Sequence, residues 1–296
     1  MNAHVMPSGF APDAAADMPK SGSIGDIIRQ TNNLSAEQVE KILSYQVEHS
    51  VKFGEAAVAL GFAKEEDVLW ALAQQFHYPY SNQQSRKLSS ELVVATRPFC
   101  DQAEMFRAMR SQLLNTVFNP NGPRVALAVV SPESGDGKSY FAANMAAAFS
   151  QLGGRTLLID ADMRSPRQHQ IFGVPAGSGL SGILAGRAET KVIHPVSELP
   201  SLHVLPVGVV PPNPLELLER PTFGLMLREL LSKFDHVIVD SPSASLGSDP
   251  RVIAGHCGAA LGVCRKGRTS MDSLHALFAP MKLGAIKMAG VVMNEF

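Results

Sequence analysis

Apolar residues recur along this chain with two different periods. Between Ser23 and Gln75 they fall three and four apart, and they do so twice: SIGDIIRQTNNLSAEQVEKILSYQ is followed by KFGEAAVALGFAKEEDVLWALAQQ. At an offset of 29 residues Gly25 matches Gly54, Asp26 matches Glu55, Val39 matches Val68, Leu43 matches Leu72 and Gln46 matches Gln75. Each copy predicts a short helix after its glycine, a turn near Asn33 or Gly61, and a longer amphipathic helix opened by a capping residue and an acidic first turn. This is a small helical domain over residues 21–80.

Further along, the helical period gives way to short, wholly apolar runs. Val125 to Val130, Thr156 to Ile159, His236 to Val239, Ala260 to Cys264 and the closing AGVVMN alternate with turn and helix signals. Uninterrupted apolar strands separated by helices predict a largely parallel sheet covered on both faces. A helix is expected over 101–118, with Met105, Phe106, Met109, Leu113 and Val117 on its apolar side. LHVLPVG reads as a strand, PPNPLELLE as a proline-rich helix entry, and a last helix runs from Met271 to about Met281. Residues 1–20 mix Pro, Ala, Gly and Asp without a period and are expected to be a disordered tail. Residues 81–98, polar and ending in Arg97-Pro98, read as a linker to an α/β domain over 99–296.

Composition narrows the classes. Twenty-six Lys and Arg stand against 27 Asp and Glu, a net charge of −1, so no global field favours nucleic acid or an anionic membrane. Cys100, Cys257 and Cys264 have neither metal-binding spacing nor an even count, which argues against a disulfide framework and suits a reducing cytosol. No apolar run approaches the roughly 18 residues that cross a bilayer, and the first residues lack a secretion-signal pattern. A cytoplasmic protein is expected, with any membrane role supplied by a partner. Arg265-Lys266-Gly267-Arg268 reads as solvated surface.

The chemistry concentrates at RVALAVVSPESGDGKS, residues 124–139. An apolar strand runs into Ser134, Gly135, Asp136, Gly137, Lys138 and Ser139, and the Ala-rich helix FAANMAAAF follows at once. Glycines let backbone N–H groups curl around a phosphate, the helix N-terminus adds partial positive charge, Lys138 can reach the outer phosphates and Ser139 can ligate Mg²⁺. Pro132 stands where the usual pattern has its first glycine. Asp160 and Asp162 lie beyond the end of a buried strand, where ligand sites of parallel sheets lie, and two such carboxylates can hold hydrated Mg²⁺ and take a proton from a hydroxyl. Arg164 could face phosphate or a neighbouring subunit. Asp240, before Ser241-Pro242, occupies the place of the acid that orients Mg²⁺ through water. Asn294 could read an adenine edge or cap a turn. Glu104, Arg107 and Arg110, three apart, could pair within the helix or across a subunit contact.

Taken together, SPESGDGKS, TLLIDADMR, VIVDSP and EMFRAMR resemble the Walker A, Walker A′, Walker B and E-x-x-R-x-x-R motifs of bacterial tyrosine kinases; GLSGILAGR and PPNPLELL agree. The resemblance implies a P-loop NTPase of the deviant-Walker, MinD/ParA-like type, a mostly parallel α/β sheet with flanking helices, here preceded by a small all-α repeat domain. It implies ATP and Mg²⁺ as cofactors. Lys138, Asp160, Asp162 and Arg164 would be catalytic, Ser134 to Tyr140 and Asn294 would bind ATP, and Ser139, Asp160 and Asp240 would serve the metal. Glu104, Arg107 and Arg110 would mediate ring-type homo-oligomers. It further implies tyrosine (auto)phosphorylation in exopolysaccharide chain-length control or export, on the cytoplasmic end of a membrane polysaccharide co-polymerase that recruits the protein to the inner membrane. The alternative is a non-kinase ATPase switch. Partitioning ATPases share the fold but carry a signature lysine where Glu133 stands. The kinases end in a tyrosine cluster, whereas this chain ends at Phe296 with only Tyr45, Tyr78, Tyr80 and Tyr140; Tyr78 and Tyr80 are the reachable pair, and Tyr140 is expected to be packed. The repeat over 21–76 resembles the N-terminal domain of type II secretion and pilus ATPases, whose tandem motifs bind cyclic di-GMP, although Ser23 and Lys52 stand where the binders have arginine.

Overall fold

The computed structural model describes residues 23–75, 88–187 and 190–295. The expected N-terminal tail, Tyr78 and Tyr80 lie outside the described residues. The chain divides into two units, Met1–His77 and Tyr78–Phe296.

The first unit holds α1 (Ile24–Thr31), α2 (Ala36–His49), α3 (Phe53–Ala59) and α4 (Glu65–Gln75) around a core that includes Ile28, Ile42, Ala56, Ala57 and Ala71. The repeat extends to the helix caps. Asp26 and Glu55 accept the backbone N–H of Ser23 and Lys52, each at 3.0 Å, and Gln38 and Asp67 accept those of Ser35 and Lys64 at 2.9 and 2.8 Å. Side-chain acceptors at the third helical position satisfy donors that a helix start leaves free. Gly54 is required by packing, since an added Cβ would stand 2.5 Å from the Val68 side chain.

The second unit runs α5 (Val93–Thr96), α6 (Asp101–Thr116), β1 (Ala126–Ser131), α7 (Lys138–Ser150), β2 (Thr156–Asp160), α8 (Gln168–Phe172), α9 (Leu180–Leu184), β3 (His194–Val196), β4 (Leu199–Leu205), α10 (Pro214–Leu218), α11 (Pro221–Lys233), β5 (His236–Ser243), α12 (Asp249–Cys257), β6 (Gly258–Arg265), α13 (Met271–Leu283) and β7 (Lys287–Asn294). The strand order is β3-β4-β2-β5-β1-β6-β7, parallel except for β3 against β4. Alternating strand residues build two cores. Leu127, Val129, Leu158 and Ile238 pack with α5 to α7; Ala128, Val130, Ile159 and Val239 pack with α10 to α13. Helix α7 is buried from Phe141 to Ser150, which explains its Ala-rich, non-amphipathic sequence.

One boundary differs from expectation. Residues 88–98, read as linker, are part of the α/β core: Leu92, Val94 and Ala95 are wholly buried against α7. Asn144, buried in α7, accepts the Val94 N–H at 3.1 Å and donates to the Glu91 carbonyl at 2.8 Å. Helix α12 and the short antiparallel β3 were not anticipated from the sequence either.

Candidate active site

Strands β1, β2 and β5 are neighbours, and all three deliver polar groups at their carboxyl ends. The turn after β1 is left-handed at Gly135 (φ 85°) and Gly137 (φ 98°), conformations that a side chain disfavours. Pro132 fits because the turn takes its left-handed residues further along. Asp136 braces the turn from within: wholly buried, it accepts the Glu133 N–H at 2.9 Å and the Thr269 hydroxyl at 2.8 Å. Its carbonyl accepts the Asn294 amide at 3.1 Å. Asn294 therefore anchors the turn, the capping half of the two roles open to it. Ser134 and Gly135 are exposed at the tip. Lys138 opens α7, is 6% exposed, and makes no ion pair among the described residues.

Asp160 and Asp240 end in register on β2 and β5, and both are fully buried. The Asp160 oxygens accept the backbone N–H of Asp162 (3.2 Å), Arg167 (3.2 Å) and Gln168 (3.0 Å). Asp160 thus braces the loop into α8, Oδ2 with two amide donors and Oδ1 with one. Asp162 accepts the N–H groups of Arg164 (3.1 Å) and Ser165 (2.9 Å) through Oδ1, while Oδ2 makes no hydrogen bond among the described residues. Asp240 accepts Gln168 Nε2 at 2.7 Å, and the Ser139 hydroxyl lies beside it. Burial, then repulsion from Asp240, pushes the Asp160 carboxyl well above its usual range. Burial also raises Asp240, to about 6, against the opposing Gln168 hydrogen bond, the Ser139 hydroxyl and the Lys138 charge.

Arg164 differs from expectation. Its guanidinium is bidentate on the wholly buried Asp249 of α12, at 3.2 and 3.0 Å, so it ties the aspartate loop to the scaffold rather than facing phosphate. Arg268 differs in the other direction. It is exposed, as expected, yet it also reaches the phosphate turn, for a Cβ on Gly135 would stand 3.0 Å from its Nη1. Gln168 was missed as well, since it opens α8 in the polar run Gln168-His169-Gln170 and nothing in the sequence marks it out.

A cavity of about 470 Å³ opens beside Gly137, lined by Met105, Phe106, Met109, Tyr140, Val292 and Asn294. Tyr140 is half-buried, edge-on to Phe106 at 6.0 Å, as its expected packing requires. On α6, Arg107 pairs with Glu104 at 2.8 Å and donates to the Pro98 carbonyl, while Arg110 donates to Ala148 at 2.7 Å. Within one subunit, then, Glu104 and Arg107 pair with each other and Arg110 ties α6 to α7.

The site can do phosphate chemistry. Amides and Lys138 suit an anion, and Ser139 with Asp240 suits a hydrated divalent ion that completes its octahedron with water and phosphate oxygens. Among the described residues no group of three His, Cys, Asp or Glu forms an all-protein metal cage. Asp240 Oδ1 and Gln168 Oε1, buried acceptors without a donor among the described residues, fit such an ion's water shell.

Residues 127–296 match the CobQ/CobB/MinD/ParA nucleotide binding domain. The chain is 35% identical over 165 residues to a putative tyrosine-protein kinase, CapB, of Staphylococcus aureus, covering 56% of this chain and 72% of that protein. It is 31% identical over 210 residues to the tyrosine-protein kinase Wzc of Salmonella typhimurium, 71% of this chain but only 29% of that longer protein. Among solved structures, the kinase domain of the Escherichia coli tyrosine kinase ETK superposes with a TM-score of 0.66 at 30% identity, covering 72% of this chain and 83% of that one.

Proposed function

The chain belongs to the CobQ/CobB/MinD/ParA nucleotide-binding family and, within it, to the bacterial tyrosine kinases; from that membership we propose an ATP- and Mg²⁺-dependent protein-tyrosine kinase regulating exopolysaccharide chain length or export. The observation that carries the reading is the meeting of Lys138, Ser139, Asp162 and Asp240 at the ends of three adjacent strands.

Lys138 and the amides of 134–139 neutralise and orient the phosphates, and the apolar cavity beside Tyr140 takes the base. Ser139, and Asp240 through water, would hold Mg²⁺, which would supply charge neutralisation for the outer phosphates. Asp162, with Oδ2 open, accepts the proton of the attacking tyrosyl hydroxyl. Asp160 and Arg164 hold that carboxylate in place.

We infer from the motifs a kinase of the chain-length-determinant type, similar to EpsG. Ring assembly through Glu104 of α6, whose side chain is 72% exposed, and recruitment to the inner membrane by a polysaccharide co-polymerase complete the reading; no helix among the described residues is long and apolar enough to cross a membrane. Cyclic di-GMP on residues 21–76 is carried as a ligand of the helical unit, and calorimetry on the full chain that detects no binding removes it.

Incubation with γ-labelled ATP and Mg²⁺ tests the kinase. Label on tyrosine, lost in both Lys138→Met and Asp162→Asn, is expected. Released phosphate without label on any protein overturns kinase activity in favour of an ATPase switch.

A further inference from the structure

Gln168 lies in none of the motifs that carry the family resemblance, yet it touches three of them. Its side chain is wholly buried. Nε2 donates to Asp240 Oδ2 at 2.7 Å and to the Ser139 carbonyl at 3.1 Å, and its backbone N–H donates to Asp160 Oδ2 at 3.0 Å. The amide orientation follows from chemistry: turning it over would set Oε1 against two acceptors. Oε1 is then fixed on the other side, buried and without a donor, and so is Asp240 Oδ1.

Two buried acceptors on groups joined by a 2.7 Å hydrogen bond find no donor among the described residues, and a ligand's donors suit them. Water polarised by a divalent cation is such a donor, and a second group that fixes the first is the usual way a protein sets a metal site. Resting on the nucleotide–Mg²⁺ reading above, we propose that Gln168 is a positioning residue for the metal: Nε2 pins Asp240 so that Oδ1 faces the ion's water, and Oε1 accepts from that same water shell. Ser139, through its carbonyl, is held in the same grip, so one side chain ties the start of α7 to β5, while the backbone N–H of the same residue reaches Asp160 on β2.

The test reads binding. Affinity of the full-length protein for a fluorescent ADP analogue is measured in EDTA and in Mg²⁺, for wild type, Gln168→Leu and Gln168→Glu. Wild type is expected to bind at least tenfold more tightly with Mg²⁺. In Gln168→Leu that gain falls to threefold or less whatever the affinity in EDTA, a loss confined to the Mg²⁺ gain that general damage to the fold, which lowers both affinities alike, would not produce. Gln168→Glu keeps the volume and an acceptor but loses the donor to Asp240, and carries the test if the leucine variant does not fold; its gain should fall likewise. A full Mg²⁺ gain in either folded variant overturns the proposal and leaves the nucleotide reading intact. Absence of analogue binding by wild type overturns the nucleotide reading, and this proposal with it.

Discussion

Asp160 and Asp240 stand as direct partners in the parallel register of β2 and β5, and neither carboxylate reaches solvent. Two buried like charges side by side penalise the ionised fold. Because burial raises Asp240 from 3.8 to about 6, its protonation favours the folded state fully below pH 3.8, and that contribution is lost as pH rises through 6. In EDTA, Asp240→Asn should therefore melt several degrees above wild type at pH 7.5, with the advantage shrinking towards pH 5, given about 2–4 °C per kcal/mol for a domain of this size. Melting curves across pH 5 to 8 check this, and a variant equally destabilised at both ends would refute it.

The phosphate turn depends on a hydroxyl far along the chain. Thr269 donates to Asp136 at 2.8 Å and accepts the Arg265 N–H at 2.8 Å, so it couples the loop after β6 to the turn. Thr269→Val leaves a buried carboxylate oxygen and an N–H unpaired, at about 1–3 kcal/mol each. Nucleotide affinity should fall about tenfold or more, and Thr269→Ser should restore most of it. Equal affinity for Val and wild type would show that the brace is dispensable.

Two glycines with left-handed backbone separate local strain from site geometry. Gly137 has φ 98° and its missing Cβ would collide with the Asn294 amide, whereas Gly153 has φ 83° and open space around it. Gly153→Ala should cost about 1 kcal/mol of stability and leave nucleotide binding unchanged. Gly137→Ala should abolish binding while the protein stays folded, read by analogue fluorescence beside a thermal melt.

Strand ends were legible in the sequence because buried parallel strands leave uninterrupted apolar runs, and Lys138, Asp160, Asp162 and Asp240 follow those runs directly. Their individual roles were less so. Asp160 reads as a metal ligand, and only the fold shows its two oxygens on three backbone amides; Arg164 looks free until Asp249, 85 residues on, is found beneath it. Arg268 and Gln168 reach the site only through tertiary packing, which no local period encodes. Asn144 did leave a trace: a lone amide inside FAANMAAAF, a helix otherwise apolar all round, needs buried partners.

Those partners make the last prediction. Asn144 Oδ1 accepts the Val94 N–H, its Nδ2 donates to the Glu91 and Tyr140 carbonyls at 2.8 and 3.0 Å, and Gln151 donates to the Val94 carbonyl at 3.2 Å. Residues 88–98 thus close the polar ledger of α7 while Leu92 and Val94 fill its apolar side. A fragment starting at residue 99 loses both, with about 1.5–3 kcal/mol for each buried aliphatic side chain and the cost of a stranded amide added. It should fail to give a cooperative melt, whereas a fragment starting at residue 88 should melt cooperatively. Asn144→Leu in the full chain should lower the melting temperature by at least 5 °C, and, because α7 opens with Lys138, weaken nucleotide binding as well. If the fragment starting at residue 99 melts where the longer one does, the docked segment is an ornament and the boundary returns to residue 99.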